Sequence, residues 1–186
     1  MQHSAQATRR WPISQQTTVV LLLAGMAQAL SLAWPFEGTF KGEAQGWLQC
    51  VSLVVLAYNI DRSTSGKQAF IKAWLYSLAW LACSIWWLFI SMHRYGGLPA
   101  PVAGLAVGLM AAGLALFYAA AAGVYHAICK TGVGVLPRAG AFAAVWVLAE
   151  MVRGTLWTGF PWGAVGYAHV DSLLQHWAPW VGVYGL

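Results

Sequence analysis

Charge is what this sequence has least of. Only 8% of its 186 residues are Asp, Glu, Lys or Arg, five acids against ten bases, where a soluble globular domain carries about 25%. That is too little to cover a water-facing surface. Together with 60% hydrophobic residues, it excludes both a soluble domain and a disordered chain. The pI of 9.3 does not point to nucleic acid either, because the bases sit in short clusters between apolar runs. No basic stripe exists to track a phosphate backbone. Cysteine is scarce as well. Cys50, Cys83 and Cys129 are odd in number, form no CxxC pair and lie in or at the ends of apolar runs. Neither a disulfide framework nor a zinc site is expected of them, and they read as small buried hydrophobes. No metal and no cofactor is expected.

Long hydrophobic runs are what the sequence does have, with a mean hydropathy of +0.62. A membrane helix needs about 20 mostly apolar residues, and charge-free windows place helices at about 18–34, 46–60, 69–91, 100–128 and 139–158. A sixth stretch opens at Trp177 and meets the end of the chain at Leu186. The windows are too long for barrel strands, and open sheet edges do not survive in lipid. The expected fold is an all-α integral membrane protein, a bundle of five transmembrane helices plus the start of a sixth. Lys72, near the start of the third, is expected to snorkel.

Orientation follows from the basic residues. Arg9, Arg10, Arg62, Lys67, Lys72, Lys130 and Arg138 flank one set of helix ends, and Lys41 and Arg94 the other. Seven against two puts the N-terminus in the cytoplasm, with residues 1–16 a cytoplasmic segment and 17–186 the transmembrane domain. Trp34, Trp47, Trp86, Trp87, Trp157, Trp162, Trp177 and Trp180 fall on the outer side, at an interface suited to lipid headgroups or a lipid-bearing substrate. Arg9-Arg10 followed by the apolar run to Ala33 also fits a cleaved signal peptide, though the run is long for one and further spans follow.

Ionisable groups inside a span are costly and usually functional. Glu150 and Arg153, three residues apart, share one face of the fifth helix and can neutralise each other. They sit about 18 Å up from Arg138 at 1.5 Å per residue, toward the outer leaflet. The pair reads either as a lock between helices or as a polar contact to a headgroup. Thr158-Gly-Phe-Pro-Trp162-Gly163 follows directly. Pro161 cannot continue a helix and biases Phe160 away from helical angles, so the chain turns there and holds Trp162 at the interface. Tyr95-Gly-Gly-Leu-Pro-Ala-Pro101 makes a similar outer turn. On the fourth helix, the Gly104–Gly108 step and the alanines at 111, 112, 115, 119 and 122 offer small faces for close helix approach. His126 and Cys129 are too few for a metal site. His169 and Asp171 lack a strained nucleophile turn, and no nucleophile, base and oxyanion hole assemble.

Trp146-Val-Leu-Ala-Glu-Met-Val-Arg-Gly154, Thr158-Gly-Phe-Pro-Trp162 and Gly166-Tyr167 resemble the fifth-helix signature of bacterial apolipoprotein N-acyltransferases. Ile85-Trp-Trp87, Ser91 and Tyr95-Gly-Gly-Leu-Pro-Ala-Pro101 resemble that family's outer turn between helices three and four. Ala178-Pro-Trp-Val-Gly-Val-Tyr-Gly185 resembles its lead-in to the next helix. The resemblance, from about Leu21 to Leu186, implies a multi-pass inner-membrane enzyme of lipoprotein maturation. Such an enzyme moves an acyl chain from a phospholipid, through a cysteine thioester, to the N-terminal amino group of a lipidated lipoprotein. In the family the Glu, Lys and Cys of the reaction belong to a nitrilase-like domain absent from this chain. Catalytic residues are therefore expected outside it, and the chain alone is expected to be inactive. The resemblance makes Trp162, Gly159, Pro161, Glu150 and Arg153 positioning residues near the substrate groove. Its implied partners are a phospholipid donor, a lipoprotein acceptor and the bilayer, with no nucleic acid. A reading frame continuing past Leu186 is the expectation that goes with it. The alternatives are a stand-alone, non-catalytic membrane protein that binds lipid or lipoprotein, and a channel or transporter, which would want intramembrane polar rows and internal symmetry.

Overall fold

A computed structural model describes residues 13–129 and 133–186. Arg9, Arg10 and Lys130, on which part of the orientation argument rests, lie outside the described residues, as does most of the 1–16 segment. Helices α1 (Gln15–Leu32), α2 (Gly46–Asp61), α3 (Gly66–Ser84), α4 (Trp87–Ile90), α5 (Ala100–Ile128), α6 (Val135–Thr155) and α7 (Ala178–Val181) follow in order, with no strand among the described residues. α1, α5 and α6 extended to Thr158 are long and apolar enough to cross a membrane. α3 and α4, with the π-helical turn Ser91–Tyr95, are long and apolar enough only together, across a bend of 48°. α2 has only 16 residues, short of the usual span length.

Local chemistry sets the boundaries. Ser14 accepts from the Thr17 amide and Ser65 from the Gln68 amide, satisfying donors that a helix start leaves orphaned. α3 therefore begins at Gly66, three residues before the apolar window opens. α6 starts at Val135 because Pro137 is tolerated in a first turn. The third helix does not run unbroken to Ser91. Ser84 Oγ donates back to the Trp80 carbonyl at 2.9 Å, a contact that bends helices, and the chain restarts at Trp87. From Trp177 onward the apolar pattern yields one α turn, Ala178–Val181, between 3-10 turns. Pro179 sits at its start and Gly182 turns left-handed at φ 66°.

Successive long helices run antiparallel. One end of the bundle gathers the α1–α2 loop, the α3–α4 break, the start of α5 and everything after α6, with the tryptophans at 34, 47, 86, 87, 157, 162, 177 and 180. The opposite, basic end carries Asp61, Arg62, Lys67, Lys72 and Arg138. Lys72 does not snorkel. It is buried and donates to the Asn59 carbonyl at 2.6 Å, so its charge meets the electron-rich C-terminal turn of α2.

Lipid tails are as apolar as leucine, so helices in a membrane associate through close packing rather than through escape from water. On α5, Ala103, Val107, Ala111, Ala115, Tyr118 and Ala122 are buried at three- and four-residue intervals and face α3, where Ala69 and Ala73 are fully covered. The alanines make that close approach and the glycines do not: a Cβ added at Gly104 or Gly108 would meet nothing within 4 Å. Trp80, Tyr118, Trp146 and Phe142 stack at the centre, with Tyr118 and Trp146 centroids 4.6 Å apart. The outside is apolar all round; Leu23, Val54, Leu105, Leu109 and Leu148 are each more than half exposed, a surface that only lipid can solvate. The cysteines correct the expectation of burial, since Cys50 is exposed and Cys83 and Cys129 are half-buried. Facing lipid costs a thiol little, so the apolar runs place them without enclosing them.

Candidate functional site

Glu150 and Arg153 lie one turn apart on α6, both with fully buried side chains. They do not pair fork to fork. Arg153 Nη2 stays 3.9 Å from Glu150 Oε1, and the hydroxyl of Tyr118 on α5 stands between them. It donates to Glu150 Oε1 at 3.2 Å and accepts from Arg153 Nε at 2.9 Å. The guanidinium turns its other face to the chain beyond the helix. Arg153 Nη1 donates to the Phe160 carbonyl at 2.6 Å and the Trp162 carbonyl at 2.9 Å, the carbonyls of the residues on either side of Pro161. Glu150 accepts from the Val165 amide at 3.1 Å. One buried ion pair thus ties α6, α5 and the turn 159–165 into a unit, as removing a charge from lipid requires.

The turn has the backbone such a clamp needs. Trp157 and Thr158 both have positive φ, 50° and 77°, strained for side-chain-bearing residues at about 1–3 kcal/mol each. Gly159 follows at φ 74°, its Cα face against the Gly154 carbonyl where a Cβ has no room. Pro161 contributes no N–H, so the two neighbouring carbonyls are the groups left for Arg153 to satisfy. The clamp delivers Trp162 to the surface of the tryptophan-rich end, 58% exposed and edge-on to Trp87 with centroids 5.9 Å apart.

The hydrogen bonds continue past Val165. Its carbonyl accepts from Gln49 Nε2 of α2 at 2.5 Å, which turns Gln49 Oε1 toward His169 Nε2 at 2.7 Å. Because that oxygen can only accept, His169 carries its proton on Nε2. Burial pushes its pKa below the ordinary histidine value, keeping the ring neutral. Glu150, Arg153, Gly159, Pro161 and Trp162 are all brought together here. Tyr118, Gln49 and His169 join them, of which only His169 was singled out from the sequence. Yet Tyr118 is the only hydrogen-bonding side chain between Ala100 and Val124, which marked it. His169 and Asp171 form no catalytic arrangement, and no cluster of three metal-ligating side chains exists among the described residues. His93, at the other outer turn, binds the Leu98 carbonyl through Nδ1 at 2.7 Å. Glu37 and Lys41 pair with each other in the exposed loop.

The whole constellation, from Ala24 through the turn to Leu186, falls within a match to the apolipoprotein N-acyltransferase N-terminal domain, which covers residues 24–186. The chain belongs to the apolipoprotein N-acyltransferase family. It is 51% identical to the apolipoprotein N-acyltransferase of Verminephrobacter eiseniae over 172 residues, 89% of this chain and 30% of that one. Against the Ralstonia nicotianae enzyme of the same name it is 43% identical over 142 residues, 75% of this chain and 27% of the relative. The Bordetella bronchiseptica relative is 36% identical over 176 residues, 90% and 32%. The chain therefore spans about 30% of the length of the curated relatives it matches. Within the apolipoprotein N-acyltransferases it corresponds to the N-terminal membrane part.

Proposed function

We propose that this chain forms the membrane-embedded part of an apolipoprotein N-acyltransferase, the enzyme that moves an acyl chain from phospholipid to the N-terminal amino group of a lipoprotein's diacylglyceryl-cysteine. It sits in the bacterial inner membrane with its N-terminus in the cytoplasm, residues 1–16 on that side and 17–186 forming a multi-pass domain. The spans are α1, α2, α3 with α4, α5 and α6, and a sixth opens near Trp177. The tryptophan-rich end then faces outward. The acyl-transfer chemistry, a cysteine thioester formed from phospholipid and broken by the lipoprotein amine, is carried by residues outside these 186. This chain holds both lipid-bearing substrates at the right height.

The observation that carries the reading is the clamp. Two buried charges of opposite sign fix one short turn, and that turn holds Trp162 at the surface beside Trp87. A purely structural lock needs no exposed tryptophan. Glu150, Arg153, Gly159 and Pro161 are positioning residues in this scheme, and Trp162 is the contact to substrate.

The test replaces the corresponding segment of the Verminephrobacter eiseniae relative with this sequence and measures lipoprotein N-acylation. The chimera is expected to N-acylate, and its Trp162→Ala form to lose N-acylation well beyond any loss of protein abundance. Equal loss of both would reduce Trp162 to an interfacial anchor. The 186-residue chain alone, given phospholipid and a diacylglyceryl lipopeptide, is expected to form no product; product formation there would overturn the placement of the chemistry elsewhere.

A further inference from the structure

Two glycines flank the clamp, and one short segment presses on both. Gly154 follows Arg153 in the last turn of α6, and Gly166 follows Val165, whose amide binds Glu150. A Cβ added at Gly154 would collide with the hydroxyl of Tyr184, and one added at Gly166 with the carbonyl of Val183. Neither glycine has a positive φ, so what each supplies is room for a close approach. Inside a helix glycine is less favourable than alanine. At Gly154 that loss goes with the seat of a phenol.

The segment reaches this seat through its own sequence. Pro179 opens the turn Ala178–Val181, and Gly182, at φ 66°, reverses the chain. The 3-10 turn Val183–Gly185 then lies against the end of α6 and the 3-10 turn Val165–His169. Backbone bonds close within the segment, from the Gly182 amide to the Ala178 carbonyl at 2.9 Å and from the Gly185 amide to the Gly182 carbonyl at 3.3 Å. Its fit to α6 is one of shape. The Val183 carbonyl stands where a Gly166 side chain would be, as in Cα–H···O contacts. The phenol meets the clamp more directly. Gly159 packs on the Gly154 carbonyl, and Pro161 Cβ lies 4.0 Å from the missing Gly154 Cβ. Tyr184, the end of α6 and the Gly159–Pro161 turn therefore converge on one glycine, and Trp162 is the next residue along.

We propose that Tyr184 is a positioning residue for Trp162, seated in the Gly154 notch with Val183 on Gly166 as its second point of support. The proposal rests on the reading of Trp162 as the contact to substrate, and makes the setting of that contact depend on where the turn 183–185 lies. Glu150 and Arg153 hold the Trp162 turn from within the bundle by charge. Tyr184 holds it from the surface by shape.

The test exchanges bulk across the seat. Gly154→Ala adds a methyl where the hydroxyl stands; Tyr184→Phe removes that hydroxyl and leaves the ring carbon Cζ 3.3 Å from the new methyl. The 186-residue chain is labelled with fluorotryptophan in detergent micelles, and the fluorine resonance of Trp162 is identified by its loss in Trp162→Phe. Gly154→Ala is expected to shift or split that line, and the double substitution to restore it. Tyr184→Phe alone, which loosens the seat without adding bulk, is expected to broaden it. The line of Trp74, whose indole binds the Ala112 carbonyl, should stay fixed throughout. In the chimera with the Verminephrobacter eiseniae relative, Gly154→Ala is expected to raise the KM for a diacylglyceryl lipopeptide several-fold with little change in kcat. Adding Tyr184→Phe brings KM back, whereas independent sites would simply add. A Trp162 line unmoved by either single substitution overturns the proposal, as does a double variant no better than Gly154→Ala. So does a fall in kcat at unchanged KM, the mark of lost folded enzyme. If the unsubstituted chimera has no activity, the substrate reading fails and the fluorine lines still decide whether Tyr184 sets Trp162. If Gly154→Ala does not fold, the line in Tyr184→Phe decides.

Discussion

At the basic end of the bundle, Tyr125 of α5 donates to Asp61 Oδ1 at 2.6 Å, and Arg138 of α6 reaches the same oxygen at 2.8 Å. Two turns along α5, toward the tryptophan-rich end, Tyr118 takes the same place between Glu150 and Arg153. Both levels thus join α5 to α6 through a tyrosine, an arginine and a carboxylate. The surroundings differ. Asp61 and Arg138 remain about one-third exposed, whereas Glu150 and Arg153 are fully enclosed. In the first trio water and headgroups can replace any lost partner. In the second nothing can, so each partner becomes obligatory and the geometry rigid. The enclosed trio alone reaches beyond the helices, into the turn bearing Trp162. Rigidity is placed where a surface side chain has to be aimed.

The largest effect expected from breaking this asymmetry comes from Glu150→Ala, which leaves Arg153 buried and unpaired. Loss of one partner of a buried pair costs about 3–5 kcal/mol, read as a lowered thermal midpoint in detergent micelles. The double substitution Glu150→Ala with Arg153→Met is expected to recover part of that loss. An unchanged midpoint for Glu150→Ala would mean that water enters and that the two ends are alike.

Tyr118→Phe comes next. It removes the acceptor for Arg153 Nε and one donor to Glu150 while keeping the ring against Trp146. A buried partner left unsatisfied costs about 1–3 kcal/mol, so stability falls by that order. The same change at Tyr125, whose partners reach water, is expected to cost less than half as much. Equal losses would erase the distinction between enclosed and open trios.

Asp61→Asn at the basic end should be milder still. Exposed ion pairs contribute about 0–1 kcal/mol and are screened by salt. Its small effect on the thermal midpoint is expected to shrink further in high salt, while that of Glu150→Ala stays constant. A salt-insensitive loss above 2 kcal/mol, far outside the usual range for open pairs, would show the basic end to be as closed as the other.

The difference between the trios was only half legible in the sequence. Glu150 and Arg153 could be put on one face because spacing within a helix is fixed by geometry. Their third partner lies 32 positions away, and spacing says nothing about which faces of two helices meet. The interval 100–128 stood out because Pro99 and Pro101 open it and no charge interrupts it. The break at Ile85-Trp86 did not, since neither proline nor glycine marks it and a serine bonding back to its own helix does the bending. Pro179 and Gly182 were visible beyond Trp177, but an apolar run outweighed them. On α5 both glycines and alanines suggested close packing. Which small residues are used depends on where α3 lies, and that is tertiary information.

The smallest expected effect is one of pH, and it separates the ends without altering a charge pair. His169 closes the hydrogen-bond chain that starts at Arg153, and its pKa is lowered by burial. A histidine whose folded pKa lies below its unfolded one binds fewer protons when folded. Its contribution to stability is therefore complete above the unfolded value of about 6.5 and is lost as pH falls through the window below it. Protonation would put a proton on Nδ1, which lies beside Gly46, while Nε2 keeps its bond to Gln49. The expected readout is faster amide exchange in the 159–170 turn at pH 5 than at pH 7, after correction for intrinsic rates. The Asp61 neighbourhood should show no such difference. Gln49→Leu, which removes the acceptor of the His169 proton and the donor to Val165, is expected to loosen the turn at both pH values. If exchange in the turn is the same at both, His169 only fills space and the clamp ends at Val165.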